Sequence, residues 1–132
     1  MALTRVINEG IGLASAIAGE GTATTNLQQG LAKAWVYAQQ RTATIGIKGS
    51  YNVSSWADDA TGRSTTNLTN SMGNTTYHVG GSSSYDSTSG NNQAGEDEVW
   101  IVSASSTKHD TTQNLTFLDC DFVFDIIHGD LA

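Results

Sequence analysis

The stretch Leu31-Ala32-Lys33-Ala34-Trp35-Val36-Tyr37-Ala38 alternates without a break between two kinds of side chain. Lys33, Trp35 and Tyr37 share one parity and Ala32, Ala34, Val36 and Ala38 the other, a period of two that belongs to a β-strand with two distinct faces. Working toward the C-terminus, the same kind of short segment recurs between Ser, Thr, Asn and Gly. Residues 39–42 turn the chain. Ile45 and Ile47 open a second strand that is expected to run on through Tyr51 and Val53 past a bulge at Gly49. Residues 56–63, with Asp58, Asp59 and Gly62, read as a loop. Residues 65–69 form a third strand, Gly73-Asn74 a turn, and residues 76–82 a fourth strand through Tyr77 and Val79.

Residues 83–95 lack any apolar period and read as a long polar loop. A fifth strand covers 98–104, with Val99 and Ile101 on one side and Trp100 and Val102 on the other. Residues 105–111 are expected to be a loop and 113–118 a sixth strand. The seventh, 120–127, sets Cys120, Phe122, Phe124 and Ile126 against Asp121, Val123, Asp125 and Ile127. About seven short strands at this spacing predict an all-β antiparallel β-sandwich over residues 31–132.

Working back from Leu31, the pattern changes. Leu3, Ile7, Ile11, Ala14 and Ala18 recur at helical spacing, so residues 1–30 are expected to hold a short helical or extended attachment segment followed by a linker over 20–29. The helix is weak alone, because Gly10 and Gly12 each cost about 1 kcal/mol relative to Ala. Three readings stand for the stripe: it associates with copies of itself, it docks in another protein, or it packs on the chain's own sandwich.

The 132 residues include 14 Gly and no Pro, and hydrophobic residues make up 38%. Gly, Ser, Thr and Asn together make roughly two-fifths of the chain, well above ordinary usage. A core this thin gains from oligomerisation. The formal charge of -7 speaks against nucleic acid, which needs a positive face to displace counterions. No stretch approaches transmembrane length, so no membrane insertion is expected, and the N-terminus lacks a signal-peptide pattern. The lone Cys120 reads as a buried thiol.

Several runs together resemble one known family: Gly30-Leu31-Ala32-Lys33-Ala34-Trp35-Val36, Ser50-Tyr51-Asn52-Val53-Ser54-Ser55, Ala60-Thr61-Gly62-Arg63, Ser71-Met72-Gly73-Asn74-Thr75-Thr76-Tyr77 and Asp121-Phe122-Val123-Phe124-Asp125-Ile126-Ile127-His128-Gly129-Asp130. They look like the C-terminal β-sandwich domain of tailed-bacteriophage tail fibres and receptor-binding proteins, over about three quarters of the chain. The resemblance implies a homotrimeric structural protein of the virion. Through residues 1–30 it would hold other phage tail or capsid proteins, and its head would engage a host-surface glycan or outer-membrane receptor. It brings no catalytic residues. Such domains commonly end much longer fibres, so the same trimer is also expected to suit a capsid decoration or head fibre.

The residues that carry chemistry are sparse. Glycan hydrolysis needs two carboxyl groups facing each other across a cleft, and the acidic clusters Asp58-Asp59 and 96–98 lie in or beside polar segments, which makes a polysaccharide depolymerase the least favoured reading. Asp119 and Asp121 are expected to point outward as solubilising charge. His78, His109 and His128 stand apart in sequence, so no metal site and no cofactor are expected within one chain, although His128 near a threefold axis would gather three ligands. Trp35 and Trp100 read as core or subunit-interface residues. Seven strands would carry the C-terminus to the end opposite the linker. The tip would then be built from 39–42, 71–74 and 105–111, giving Gln39, Gln40, Arg41, Asn74, Lys108, His109 and Asp110 as receptor-binding candidates. If the strand count is off by one, Trp56, Tyr85, Asn91 and Asn92 on the other loops take that role.

Overall fold

The computed structural model describes residues 16–18, 24–26, 31–41, 44–85 and 96–130. The chain divides into two compact units, Met1–Leu31 and Ala32–Ala132. In the first, β1 (Ala16–Ala18) pairs antiparallel with β2 (Thr24–Asn26), Ile17 opposite Thr25. Ala18 therefore lies in a strand rather than on a helical stripe, and the expected linker contains a strand. The β-branched residues Ile17, Thr24 and Thr25 suit extended backbone. Leu3, Ile7, Ile11 and Ala14 lie outside the described residues.

The second unit is all-β, with no helix among the described residues. Its strands are β3 (Ala32–Gln39), β4 (Gly46–Tyr51), β5 (Val53–Ala60), β6 (Arg63–Leu68), β7 (His78–Ser84), β8 (Glu96–Ser103), β9 (Ser106–Gln113), β10 (Thr116–Phe117) and β11 (Phe122–His128). One sheet runs β4-β3-β11-β7 and the other β5-β6-β9-β8, with the two-residue β10 also on β9; every pairing is antiparallel. The two sheets pack face to face as a sandwich.

Two departures from the expected strands share one cause. The expected second strand does not run through Asn52: β4 ends at Tyr51 and β5 starts at Val53 in the other sheet. Asn52 makes that corner with φ 56°, a left-handed conformation that Asn tolerates better than most residues. Its side chain fixes the corner, donating from Nδ2 to the Lys33 carbonyl (3.1 Å) and accepting at Oδ1 from the Asn70 backbone N–H (2.8 Å). Residues 56–60, expected in a loop, thus continue strand β5, and the chain reverses over Thr61-Gly62 alone. Gly62 has φ 65°, and a Cβ there would stand 2.6 Å from the Thr111 carbonyl oxygen. The expected bulge at Gly49 is present, with Lys48 left over between the Tyr37–Gly49 and Ala38–Ile47 pairs.

The second set of departures lies near the C-terminus. The expected loop 105–111 is most of strand β9, and the expected strand 113–118 is broken by a two-residue turn at Asn114-Leu115, both with positive φ, between the end of β9 and the short β10. With β4 and β5 separate, eight long strands cross the sandwich among the described residues. An even count returns the chain to where it began: His128 pairs with Ala32. The C-terminal strand therefore finishes at the end where β3 starts, called here the near end, rather than opposite it.

The interior is divided along its length. At the near end Ala34, Leu68, Met72, Tyr77 and Ile127 form the apolar core, joined by Val53, Val79 and Ile101. Tyr77 keeps its hydroxyl satisfied by donating to the Ser103 carbonyl (2.7 Å). Farther along, the β4-β3-β11-β7 wall carries Val36, Ala38, Cys120 and Val123 together with the buried Asp125 and Ser83, whereas the facing wall is Ser64, Thr66, Thr107, His109 and Thr111. Cys120 is fully buried, as expected of an inert thiol, and burial raises its pKa.

Asn52→Ala loses both the tolerated left-handed backbone and the corner's hydrogen bonds, so it is expected to cost about 2–3 kcal/mol in urea unfolding. Asn52→Gly keeps the backbone freedom and should cost clearly less in the same measurement.

Candidate functional site

His109 sits between the two sheets, 1% exposed. Its Nδ1 is 2.6 Å from Asp125 Oδ1 on β11, and its Nε2 is 3.1 Å from Asp97 Oδ1 on β8. With both nitrogens protonated the ring donates to both carboxylates. Their other positions are filled as well: Thr66 Oγ1 donates to Asp125 Oδ2 (3.0 Å), and Ser83 donates to Asp97 through its backbone N–H (2.9 Å) and its hydroxyl (2.5 Å). Five strands, β6, β7, β8, β9 and β11, thus meet at one charged group. Gly81 leaves room for it, since a Cβ there would collide with Val99 and stand 2.8 Å from His109 Cε1.

Burial by itself pushes the imidazole pKa down, but hydrogen bonds to Asp125 and Asp97, helped by their charges, lift it from 6.5 to about 9. Burial also works to raise Asp97, yet the hydrogen bonds from His109 and Ser83 hold it below its ordinary value. His109 and Asp125 are closed to solvent, Asp97 covers them at the edge while partly exposed itself, and the cluster acts as a structural clamp. His109 is therefore not a receptor contact, contrary to the sequence expectation, and β11 turns Asp125 inward while Phe122, Phe124 and Ile126 face out.

The described part of the surface opposite the near end is built from residues 40–41, 44–45, 61–62, 85 and 114–121. Gln40 N donates to the Cys120 carbonyl (3.2 Å), Thr111 N to Gly62 O (2.8 Å) and Leu118 N to Thr111 O (3.1 Å), so these connections are tied to one another. Asp119, expected as outward charge, accepts from Gly62 N (2.6 Å) and holds the β5–β6 turn. Asp58 beside it has a raised pKa, from partial burial and then from the charges of Asp119 and Asp59.

Arg41 is the centre of this far end. Its guanidinium lies 4.3 Å from the Tyr85 ring centroid, donates to the Tyr85 carbonyl (3.1 Å) and stands 3.9 Å from Asp121. It remains half exposed, so a cation is displayed in a fixed pose on an aromatic platform. A second such pair is close in the topology, Arg63 over Phe117 at 3.9 Å, with Arg63 also 3.5 Å from Asp110. The arrangement suits carboxylate, sulfate or sugar hydroxyl groups presented from outside.

No protein-family model, curated protein or solved structure matches this chain.

The expected receptor-binding residues distribute unevenly over this geometry. Gln39, Gln40, Arg41 and Tyr85 come together at the far end, although the two loops that carry them were expected at opposite ends. Gln40 is buried, with Oε1 accepting from Cys120 N (3.3 Å), so it shapes the end rather than displaying itself. Asn74 lies at the near end and caps its own turn, accepting from Thr76 N (2.8 Å). Lys108 and Asp110 lie on strand β9, with Lys108 reaching Asp59 (3.9 Å), rather than in a tip loop. Trp56 lies within β5 opposite Thr66, on the inner side, and its Nε1 has no hydrogen-bond partner among the described residues. That register makes it a filler of the sandwich, not an open stacking platform. Asn91 and Asn92 lie outside the described residues. His78 and His128, isolated in sequence, are register partners on β7 and β11. Among the described residues no three His, Cys, Asp or Glu side chains stand together as for a metal ion.

The clamp makes stability depend on pH in a stated direction. The folded imidazole keeps its proton up to about 9 while an unfolded one loses it near 6.5, so His109 contributes fully below 6.5 and its contribution fades as pH rises through 9. Asp97 contributes above the ordinary carboxylate range and loses its contribution as pH falls through its lowered pKa. An NMR titration of the His109 ring should give a midpoint near 9. Asp125→Ala leaves a buried imidazolium short of a partner and is expected to destabilise by about 3–5 kcal/mol in chemical unfolding.

Proposed function

We propose that the chain is a non-enzymatic structural protein of a tailed-phage virion, a trimeric fibre or fibre-tip protein that binds a host-surface receptor. The observation that carries the reading is the return of the chain. β3 begins and β11 finishes at the near end, so the described strands enter and leave the head on one side and the far end lies opposite both. Residues 1–30 hold the virion, and the far end, with Arg41 on Tyr85, meets the receptor. The resemblance of the strand motifs to tail-fibre heads supports the same assignment.

Four acidic side chains, Asp59, Asp97, Asp119 and Asp125, are spent on the fold, which supports binding rather than hydrolysis. Asp97 and Asp125 hold His109, Asp119 holds Gly62, and Asp59 accepts from Thr65 and faces Lys108. A trimer presents three such ends to a repeated surface ligand, so sites of modest individual affinity hold a particle through avidity.

Purified protein should bind host cells, and Arg41→Ala should weaken a single head by about tenfold, the scale for losing an interface arginine. Binding unchanged in both Arg41→Ala and Tyr85→Ala would remove the far end from the assignment. Electron microscopy of particles carrying labelled protein distinguishes a tail from a capsid position.

A further inference from the structure

The two outer faces of the sandwich differ in kind. The outer side of β5-β6-β9-β8 carries Asp59, Arg63, Glu98, Lys108 and Asp110, with Arg63 and Lys108 bridged to acids. The outer side of β4-β3-β11-β7 carries two rows set by the strand registers, Tyr51–Trp35–Ile126–Gly80 and Gly49–Tyr37–Phe124–Ser82. Neither row contains Asp, Glu, Lys or Arg; Lys33, His78 and His128 stand at its near-end margin. Tyr37 stacks on Phe124 with ring centroids 4.8 Å apart, and Phe122 lies 5.6 Å from Tyr37. Trp35 is 42% exposed, Tyr51 58%, Phe124 41% and Ile126 43%. Where Gly80 and Ser82 replace larger side chains, an open trough of about 530 Å³ lies beside Phe124 and Ile126.

We infer that this face is where copies of the chain meet, three of them turning it toward a common axis. The inference rests on the trimeric reading above. Apolar and aromatic side chains continuous over β4, β3 and β11 make an interaction surface rather than scattered exposure. Three observations point to another copy as the occupant. Chains of net charge -7 repel, and this is the broad side on which they approach without facing carboxylates. β3, an inner strand of this face, follows Leu31 directly in the chain, so the face is built on the strand nearest in sequence to the residues proposed to hold copies together. A sugar needs fixed amides or carboxylates for its hydroxyls, and the rows offer only a serine and aromatic tips. Packing the faces inward leaves the charged sides and the far ends in solvent.

Full-chain protein is weighed by light scattering beside Trp35→Ser/Phe124→Ser and, on the opposite face, Glu98→Ser. The parent and Glu98→Ser should be trimers and the double variant a folded monomer by circular dichroism. A folded double variant that stays trimeric overturns the inference and leaves the fibre reading intact, since host-cell binding is measured separately. A monomeric parent overturns it too, and one whose glycan binding needs Trp35 reassigns the face to sugar. Should the double variant fail to fold, thiol cross-linking decides. Cys120 is buried, so Ser82→Cys supplies the reactive group; it should cross-link between copies while Glu98→Cys does not, and the reverse pattern overturns the inference.

Discussion

A protonated imidazole held between two carboxylates is the constraint on which the sandwich depends. Apolar burial fills the near end, but farther along apolar residues such as Val36, Ala38 and Val123 face a wall of Ser, Thr and His, so that half of the interior must also be ordered by something directional. His109 supplies it by joining β9 to β8 within one sheet and to β11 in the other. A slip of one residue in β9 or β11 would turn His109 or Asp125 to the opposite face, which makes register a matter of charge as well as of pattern. Replacing such a cluster with hydrophobic groups is often neutral for stability, whereas removing one member is costly, so the group functions as a specifier of arrangement more than as a source of cohesion.

The same clamp explains which parts of the fold were legible. Alternation in residues 31–38 gave a strand, but not which parity faces in. Size misleads there, because Ala34, Val36 and Ala38 are inside and the larger Trp35 and Tyr37 are outside. Strand β9 was missed because its inner residues are Thr107, His109 and Thr111. The signal was present in their strict spacing of two with β-branched flanks, and an apolar criterion passes over it. Asn52 was invisible as a corner because its neighbours Tyr51 and Val53 continue the alternation. That single crossing changed the strand count from odd to even.

The far end shows a different limit. Arg41 and Tyr85 are 44 residues apart in sequence, and neither loop alone contains a sign of the other. Their meeting follows from β11 lying between β3 and β7, so that Gln39 and Ser84 finish on either side of Phe122. Polar loop composition named suitable residues but not their grouping, which only the topology supplies. Gln40 makes the point most sharply: a residue type that favours surfaces is enclosed because its amide oxygen accepts from Cys120.

The adjacency of Ala32 and His128 also makes the head a portable part. A module whose two ends are neighbours can be spliced into a surface loop of an unrelated scaffold without stretching either partner. Recombination that moves such a cassette between carriers would transplant its outward loops intact, with only two nearby junctions to accommodate.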